Sequence, residues 1–252
     1  MANWNDPQPT TRDTRTGFGG SPTLNGGVIG REAAVDQGLR SYMLSIYNYM
    51  ASGVLLSGIV ALLMYTTGYA AAMVGSPVMW LVVLSPLAIV FAMSFGRNKF
   101  SLPTLQAMFW GFAILMGMSL STIFLRYTGG SIAATFFATA GAFAGLSLVG
   151  YTTKKDLSGM GTFLIMGVVG LLIAMVINIF LQSSALYWAI SFLGVLIFAG
   201  LTAYDTQRLK NDYQYLQGTE FIGKAIVLGA LTLYLDFINM FQFLLSFMGQ
   251  RD

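Results

Sequence analysis

The chain has 252 residues, of which 56% are hydrophobic and only 9% are charged, and its formal net charge is +3. Because soluble domains carry about 25% charged residues, this composition excludes a soluble globular protein and indicates a polytopic membrane protein. The sequence contains no cysteine and no histidine, which excludes disulfides, thiol catalysis and cysteine-ligated metals. The small net charge does not indicate nucleic-acid binding.

The chain begins with a polar segment, residues 1–40, that is rich in glycine, threonine, asparagine and proline. We predict a flexible tail there, with a short helix from about Gly30 that leads to the membrane. Seven apolar stretches follow, each with roughly the 20 residues that cross about 30 Å of hydrocarbon as an α-helix. They are residues 42–67, 78–96, 103–126, 131–151, 161–181, 185–205 and 223–247. The predicted fold is therefore all-α, with a tail over residues 1–40 and a seven-helix transmembrane domain over residues 41–250.

The fourth stretch contains the sequence GAFAG at residues 141–145. Glycines at this spacing let neighbouring membrane helices approach closely. We predict a helix-packing contact at Gly141 and Gly145.

The distribution of lysine and arginine predicts the orientation. With the N-terminus in the cytoplasm, only Arg126 and Arg251 lie outside. Eleven basic residues then lie inside: Arg12, Arg15, Arg31, Arg40, Arg97, Lys99, Lys154, Lys155, Arg208, Lys210 and Lys224. This is a strong positive-inside bias. It predicts a multi-pass protein, most consistent with a bacterial inner membrane, whose C-terminus is outside.

Two of the ten acidic residues lie in the apolar stretches. Asp205 ends the sixth stretch, and Asp236 lies within the seventh. A carboxylate near the bilayer centre costs about 2.5–3.5 kcal/mol on insertion scales, so these residues are the functional candidates. At helical spacing each belongs to a polar or small-residue stripe: Gly229, Thr232, Asp236 and Asn239 in one, and Ser191, Gly194, Thr202 and Asp205 in the other. The alternative is that the stripes are packing seams in which neutral aspartic acids hydrogen-bond across helices.

Two carboxylates brought together would repel each other, share a proton and attract a cation. Oxygen ligands suit calcium or protons, but calcium takes 6–8 oxygens and two carboxylates supply at most four. Such a site should be weak, which suits a pore or a relay. One observation opposes the pairing. Counted along the predicted spans, the depths of Asp205 and Asp236 differ by up to roughly 20 Å.

The segments AYDTQRLKND (203–212) and LYLDFINMFQFLL (233–245) resemble the signature of the Bax-inhibitor (transmembrane Bax-inhibitor motif) family. TKKDLS (153–158), NIF (178–180) and the seven-span pattern agree with this resemblance, which covers roughly residues 40 to 250. It implies a seven-helix bundle in which the other six helices enclose the seventh.

The resemblance also implies a function. Bacterial members are described as pH-sensitive calcium leak channels that are latched by a proton-sharing aspartate pair, which matches Asp205 and Asp236. An arginine at the inner end of the second helix bonds the first aspartate in some states, and Arg97 is the matching candidate. NDYQYLQGTEF (211–221) is predicted to be an extended loop between the two aspartates. Some bacterial members restrain a membrane-bound protease, and eukaryotic members suppress cell death.

The leading hypothesis is a calcium leak that is closed at low pH, when the pair holds a proton, and open when both carboxylates ionise. A proton-coupled cation exchanger and a regulatory protein that acts through a membrane-protein partner are the alternatives. We expect no enzyme, because the sequence lacks histidine, cysteine and a phosphate-binding glycine loop. We expect no tightly bound cofactor. The expected partners are calcium or protons as the ion, the lipid bilayer and a membrane protein, without nucleic acid.

Overall fold

A computed structural model describes the backbone of residues 23–251 and the side-chain environments from residue 36 onward. The described residues form eight α-helices and one 3-10 helix. They are α1 (Thr23–Thr66), α2 (Tyr69–Met73), α3 (Pro77–Gly96), α4 (Leu102–Leu120), η1 (Ser121–Leu125), α5 (Gly129–Thr152), α6 (Ser158–Leu181), α7 (Ser184–Leu216) and α8 (Ile222–Met248). The chain divides into two units, Met1–Gln37 and Gly38–Asp252.

All seven predicted spans are confirmed as helices that are long and apolar enough to cross a membrane. The first span begins at Asp36, within α1. The third combines α4 and η1, and the others coincide with α3 and with α5 to α8. The predicted fold class, an all-α polytopic membrane protein, is therefore confirmed. The helix predicted from about Gly30 begins earlier, at Thr23. Residues 1–22 of the predicted tail lie outside the described residues.

The sixth span differs from its prediction. Helix α7 has 33 residues and does not end at Asp205 but continues to Leu216. The prediction of an extended loop over residues 211–221 is therefore wrong, because only residues 217–221 connect α7 to α8. The physical reason is that Leu209 and Tyr213 lie four residues apart and form a buried face on this otherwise polar segment.

Helix α8 is the enclosed helix of the bundle. In its most apolar window 61% of the residues are buried, against 33% or less in the other spans. It packs against α4, α5 and α7, and α1 approaches it where Ile46 faces Gly229 and Gly53 lies near Tyr234. The enclosure of the seventh helix by the others is thus confirmed.

Close helix contacts occur at glycines other than those predicted. A Cβ atom added at Gly141 or Gly145 would meet open space, so the prediction of a packing contact there is wrong. The spacing was right for a contact, but the two residues lie on an exposed face of α5. A Cβ at Gly150 would instead lie 2.2 Å from the carbonyl oxygen of Ala203, and one at Gly117 would lie 2.6 Å from that of Ser57.

Candidate functional site

The structure brings Asp205 of α7 and Asp236 of α8 together. Their carboxyl groups lie next to each other. They are 6% and 4% exposed, respectively. The two polar stripes therefore meet at their carboxyl groups, inside the bundle.

The continuation of α7 removes the predicted difference in depth. Asp205 lies 11 residues before the end of α7 at Leu216, and Asp236 lies 14 residues after the start of α8 at Ile222. At about 1.5 Å per residue, both lie roughly 16–21 Å from the turn that joins the helices. The predicted mismatch came from ending the sixth span at Asp205.

Few hydrogen-bond donors reach the carboxyl groups of Asp205 and Asp236. Arg208 Nη1 lies 3.1 Å from Asp205 Oδ1, one helical turn along α7, and the arginine side chain is 45% exposed. Within the part of the chain that the structure describes, Asp205 Oδ1 and Asp236 Oδ2 are buried and make no hydrogen bond of normal geometry to a protein donor. A proton held between the two carboxyl groups would supply the missing donor.

The residues that follow Asp205 fix α7 to α5. The hydroxyl of Thr206 lies 2.9 Å from that of Ser147, which in turn hydrogen-bonds to Tyr47 of α1. Lys210 Nζ donates to the carbonyl of Tyr151 at 2.7 Å, near the end of α5. The segment around Asp205 is thus held on one side by hydrogen bonds to α5.

Gln207 holds the connection between α5 and α6. Its Oε1 accepts from the amide of Leu157 at 2.8 Å, and its Nε2 donates to the carbonyl of Lys155 at 2.7 Å. The amide of one side chain therefore satisfies two backbone groups of the TKKDLS segment. The contact that joins this segment to the motif around Asp205 was not predicted from the sequence.

The α8 side of the pair is fixed by Tyr234, which is fully buried. Its hydroxyl lies 2.6 Å from Ser57 Oγ of α1, and Ser57 Oγ lies 2.7 Å from the carbonyl oxygen of Ala113 of α4. This contact was not predicted from the sequence. The available signal was a serine and a tyrosine inside apolar spans, which does not show that they meet.

A cavity of about 350 Å³ opens at the end of the bundle that carries Arg97, Arg208 and Lys224. We call it the basic cavity, and Asp212, Tyr42 and Thr232 also line it. At the other end a cavity of about 370 Å³ is lined by neutral polar groups and apolar side chains. We call it the amide cavity, after Asn178, Asn239 and Gln242; Ser191, Ser246 and Tyr187 also line it.

The aspartate pair lies between the two cavities. On α8 the basic cavity reaches Thr232 and the amide cavity reaches Asn239. These positions are seven residues apart, or about 10 Å along the helix, and the buried Asp236 lies between them. In this conformation a short closed segment thus separates two polar cavities.

The predicted stripe residues occupy different environments. Thr232 and Asn239 line the cavities and donate to the carbonyls of Leu228 and Leu235 of their own helix. Thr202 is fully buried and donates to Phe198. Its predicted role and those of Thr232 and Asn239 stay predictions.

Arg97 lies on the wall of the basic cavity and is exposed. Among the described residues, the salt bridge of Asp205 is with Arg208, which lines the same cavity. The predicted contact between Arg97 and Asp205 in another state stays a prediction.

The fold and site define a seven-helix membrane protein with a buried carboxyl pair on its two most C-terminal helices. Residues 39–252 match the family model described as "Inhibitor of apoptosis-promoting Bax1". The chain belongs to this family, the Bax-inhibitor family.

Bacterial relatives cover most of the chain. A protein of Caulobacter vibrioides, described only as uncharacterized, is 48% identical over 231 residues, which are 86% of this chain and 92% of that protein. Rickettsia prowazekii protein RP147, also described as uncharacterized, is 44% identical over 227 residues, 86% of this chain and 92% of that protein. Inner membrane protein YbhL of Escherichia coli K12 is 44% identical over 220 residues, 85% of this chain and 93% of that protein.

Proposed function

We propose that the protein is a pH-sensitive leak pathway for cations, with calcium as the ion, in which Asp205 and Asp236 form the gate. One observation carries the proposal. A buried pair of carboxyl groups lies in the short closed segment between two polar cavities. Serine, threonine and glycine would suffice for a packing seam, so ionisable groups at this position suggest a function.

Protonation explains the closed state. One proton between the two carboxyl groups leaves a single negative charge, which Arg208 balances. Loss of that proton would place two negative charges in contact. At an effective dielectric constant of 20, two unit charges 4 Å apart repel by about 4 kcal/mol. This repulsion would separate α7 from α8 and connect the two cavities.

Calcium is the proposed ion because the separated carboxylates are oxygen ligands without nitrogen or sulfur competitors nearby. In the described residues, no group of three or more acidic or histidine side chains surrounds the pair. The carboxylates therefore supply only part of a calcium shell, and water and the oxygens of Thr232 and Asn239 complete it during passage. Such binding is weak, which suits a leak rather than storage. When the pair is separated, Asp205 turns to Arg97 across the basic cavity.

The proposed location is the bacterial inner membrane, with the basic cavity on the cytoplasmic side. The unequal distribution of lysine and arginine supports this orientation. The name of the E. coli relative supports the location. Because the chain has no cysteine, single-cysteine variants can test the orientation. An impermeant maleimide should label Gly129→Cys but not Lys154→Cys on intact cells, and the reverse pattern would invert the proposed topology.

Calcium flux into liposomes that carry the purified protein tests the function. Wild type should show flux that increases from pH 6 to pH 8. Asp205→Asn and Asp236→Asn should each remove this pH dependence, whereas Asp156→Asn, which changes an exposed carboxyl group at a loop, should retain it. Flux no greater than that of empty liposomes, or variants with the wild-type profile, would refute the proposal.

A further inference from the structure

The basic cavity is positively charged on three sides. Arg97 follows α3, Arg208 lies on α7 and Lys224 lies in the first turns of α8, and all three line the same space. Among the described residues that line it, Asp212 is the only carboxylate. Arg208 is already paired with Asp205, so Arg97 and Lys224 against Asp212 leave an excess of positive charge in the cavity. This excess favours a negatively charged occupant and is unfavourable for a cation at rest in the same space.

The start of α8 adds to this positive potential. Phe221 is the N-cap residue of this 27-residue helix and makes no side-chain capping hydrogen bond. Phe221, Lys224 and Ala225 line the cavity, so the N-terminal turn of α8 borders it. The first amide groups of a helix lack partners within the helix, and the helix dipole is positive at this end. Both properties favour an anion.

Tyr42 provides an independent observation. Its side chain lines the cavity from α1 and is only 3% exposed. Its hydroxyl is buried and has no hydrogen-bond partner among the described residues. Buried polar groups are nearly always hydrogen-bonded. A ligand with an acceptor oxygen in the cavity would account for this exception.

We propose that the basic cavity is a binding site for a phosphate-bearing anion. Phosphate oxygens accept hydrogen bonds from guanidinium, ammonium, phenol and backbone amide groups, and these are the donors that Arg97, Lys224, Tyr42 and the start of α8 present. A volume of about 350 Å³ accommodates a phosphate group with a small organic substituent. The source is either a free phosphate ester or the headgroup of an anionic lipid. This site does not depend on ion conduction, so the inference goes beyond the proposed function.

Titration calorimetry with inorganic pyrophosphate tests the site, using the full-length protein in phosphatidylcholine nanodiscs. Wild type should bind saturably, and more weakly at higher salt. Arg97→Gln and Lys224→Gln should each weaken binding about tenfold, because each removes a charge-assisted hydrogen bond. Tyr42→Phe should weaken binding severalfold without lowering the melting temperature of the ligand-free protein, because the hydroxyl has no partner there. Lys99→Gln, which removes an exposed charge close to Arg97 but outside the cavity lining, should bind within about twofold of wild type.

Short-chain phosphatidic acid identifies the source of the phosphate. If it displaces pyrophosphate from wild type, the site accepts a lipid headgroup; if only water-soluble phosphate esters compete, the site accepts a free phosphate. Either result supports a phosphate site. The proposal fails if wild type shows no saturable binding at millimolar pyrophosphate, or if Lys99→Gln weakens binding as much as Arg97→Gln. None of these measurements depends on calcium flux, so the phosphate-site proposal and the leak proposal can fail independently of each other.

Discussion

Gly150 of α5 lies directly against the carbonyl of Ala203 on α7, two residues before Asp205. A Cβ atom at Gly150 would be 2.2 Å from that oxygen, a distance that only a shift of the backbone can relieve. This contact sets the spacing between α5 and the segment of α7 that carries the functional carboxyl group. Asp205 therefore depends on a glycine that sequence analysis did not select.

We expect Gly150→Ala to destabilise the protein by about 1–3 kcal/mol, the usual cost of overpacking a tight interior. The matched control is Gly145→Ala on the same helix, where the added Cβ meets open space. Alanine has a higher helix propensity than glycine, so the control should be neutral or stabilising. Thermal unfolding in detergent, followed by the helical circular dichroism signal, measures both. Equal effects of the two substitutions would contradict the close contact.

The hydrogen bond between Tyr234 and Ser57 predicts a coupled pair of substitutions. Tyr234→Phe should cost about 1 kcal/mol, the net value of a typical buried hydrogen bond, because the ring packing is retained. Ser57→Ala should cost somewhat more, since Ser57 Oγ also lies within hydrogen-bond distance of the carbonyls of Gly53 and Ala113. The two changes share one interaction, so the double variant should be less destabilised than the sum of the single variants. Strict additivity of the unfolding free energies would argue that the hydroxyl groups do not interact.

The two hydrogen bonds of the Gln207 side chain predict that its substitution has a local effect. Gln207→Ala would remove the side-chain partners of the Leu157 amide and the Lys155 carbonyl. Amide hydrogen exchange should then accelerate over residues 153–158, and stability should fall by about 1–3 kcal/mol. Gln214→Ala, at an exposed position of the same helix, is the control and should leave exchange there unchanged. Unaltered exchange at residues 153–158 in Gln207→Ala would show that other contacts hold the connection.

The sequence predicted the parts of this structure that depend on composition. Seven spans and the unusual position of Asp236 follow from hydrophobicity and charge alone. The continuation of α7 did not follow, because Leu209 and Tyr213 are separated by charged residues and only packing reveals their buried face. The packing contact predicted at GAFAG was wrong for a related reason. The spacing of two glycines permits a close approach but does not say which helix face meets a neighbour. The Tyr234–Ser57 and Gln207 contacts join distant segments, so only the tertiary structure reveals them.

The ionisation of the Asp156 carboxyl group depends on pH differently from that proposed for the pair of Asp205 and Asp236. Hydrogen bonds from the hydroxyl and the amide of Ser158 lower the pKa of the Asp156 carboxyl below its usual value of 3.8. A carboxyl group with a depressed folded-state pKa contributes stability above its unfolded pKa and loses it as the pH falls through the folded value. Asp156 is therefore ionised throughout pH 6–8. Asp156→Asn should leave the flux profile in this window unchanged, and a changed profile would assign part of the pH response to this loop.

The proposed route through the bundle distinguishes two polar residues of the predicted stripes. Asn239 borders the amide cavity at the point where the closed segment begins, whereas Thr202 is fully buried and lines neither the basic cavity nor the amide cavity. Asn239→Leu places an apolar side chain at the proposed entrance and should reduce calcium flux at pH 8 severalfold. Thr202→Val keeps the side-chain shape and removes only a bond to its own helix, so flux should stay close to wild type. Flux in liposomes with equal amounts of incorporated protein measures both variants. A larger loss in Thr202→Val than in Asn239→Leu would place the pathway along α7 rather than along the polar face of α8.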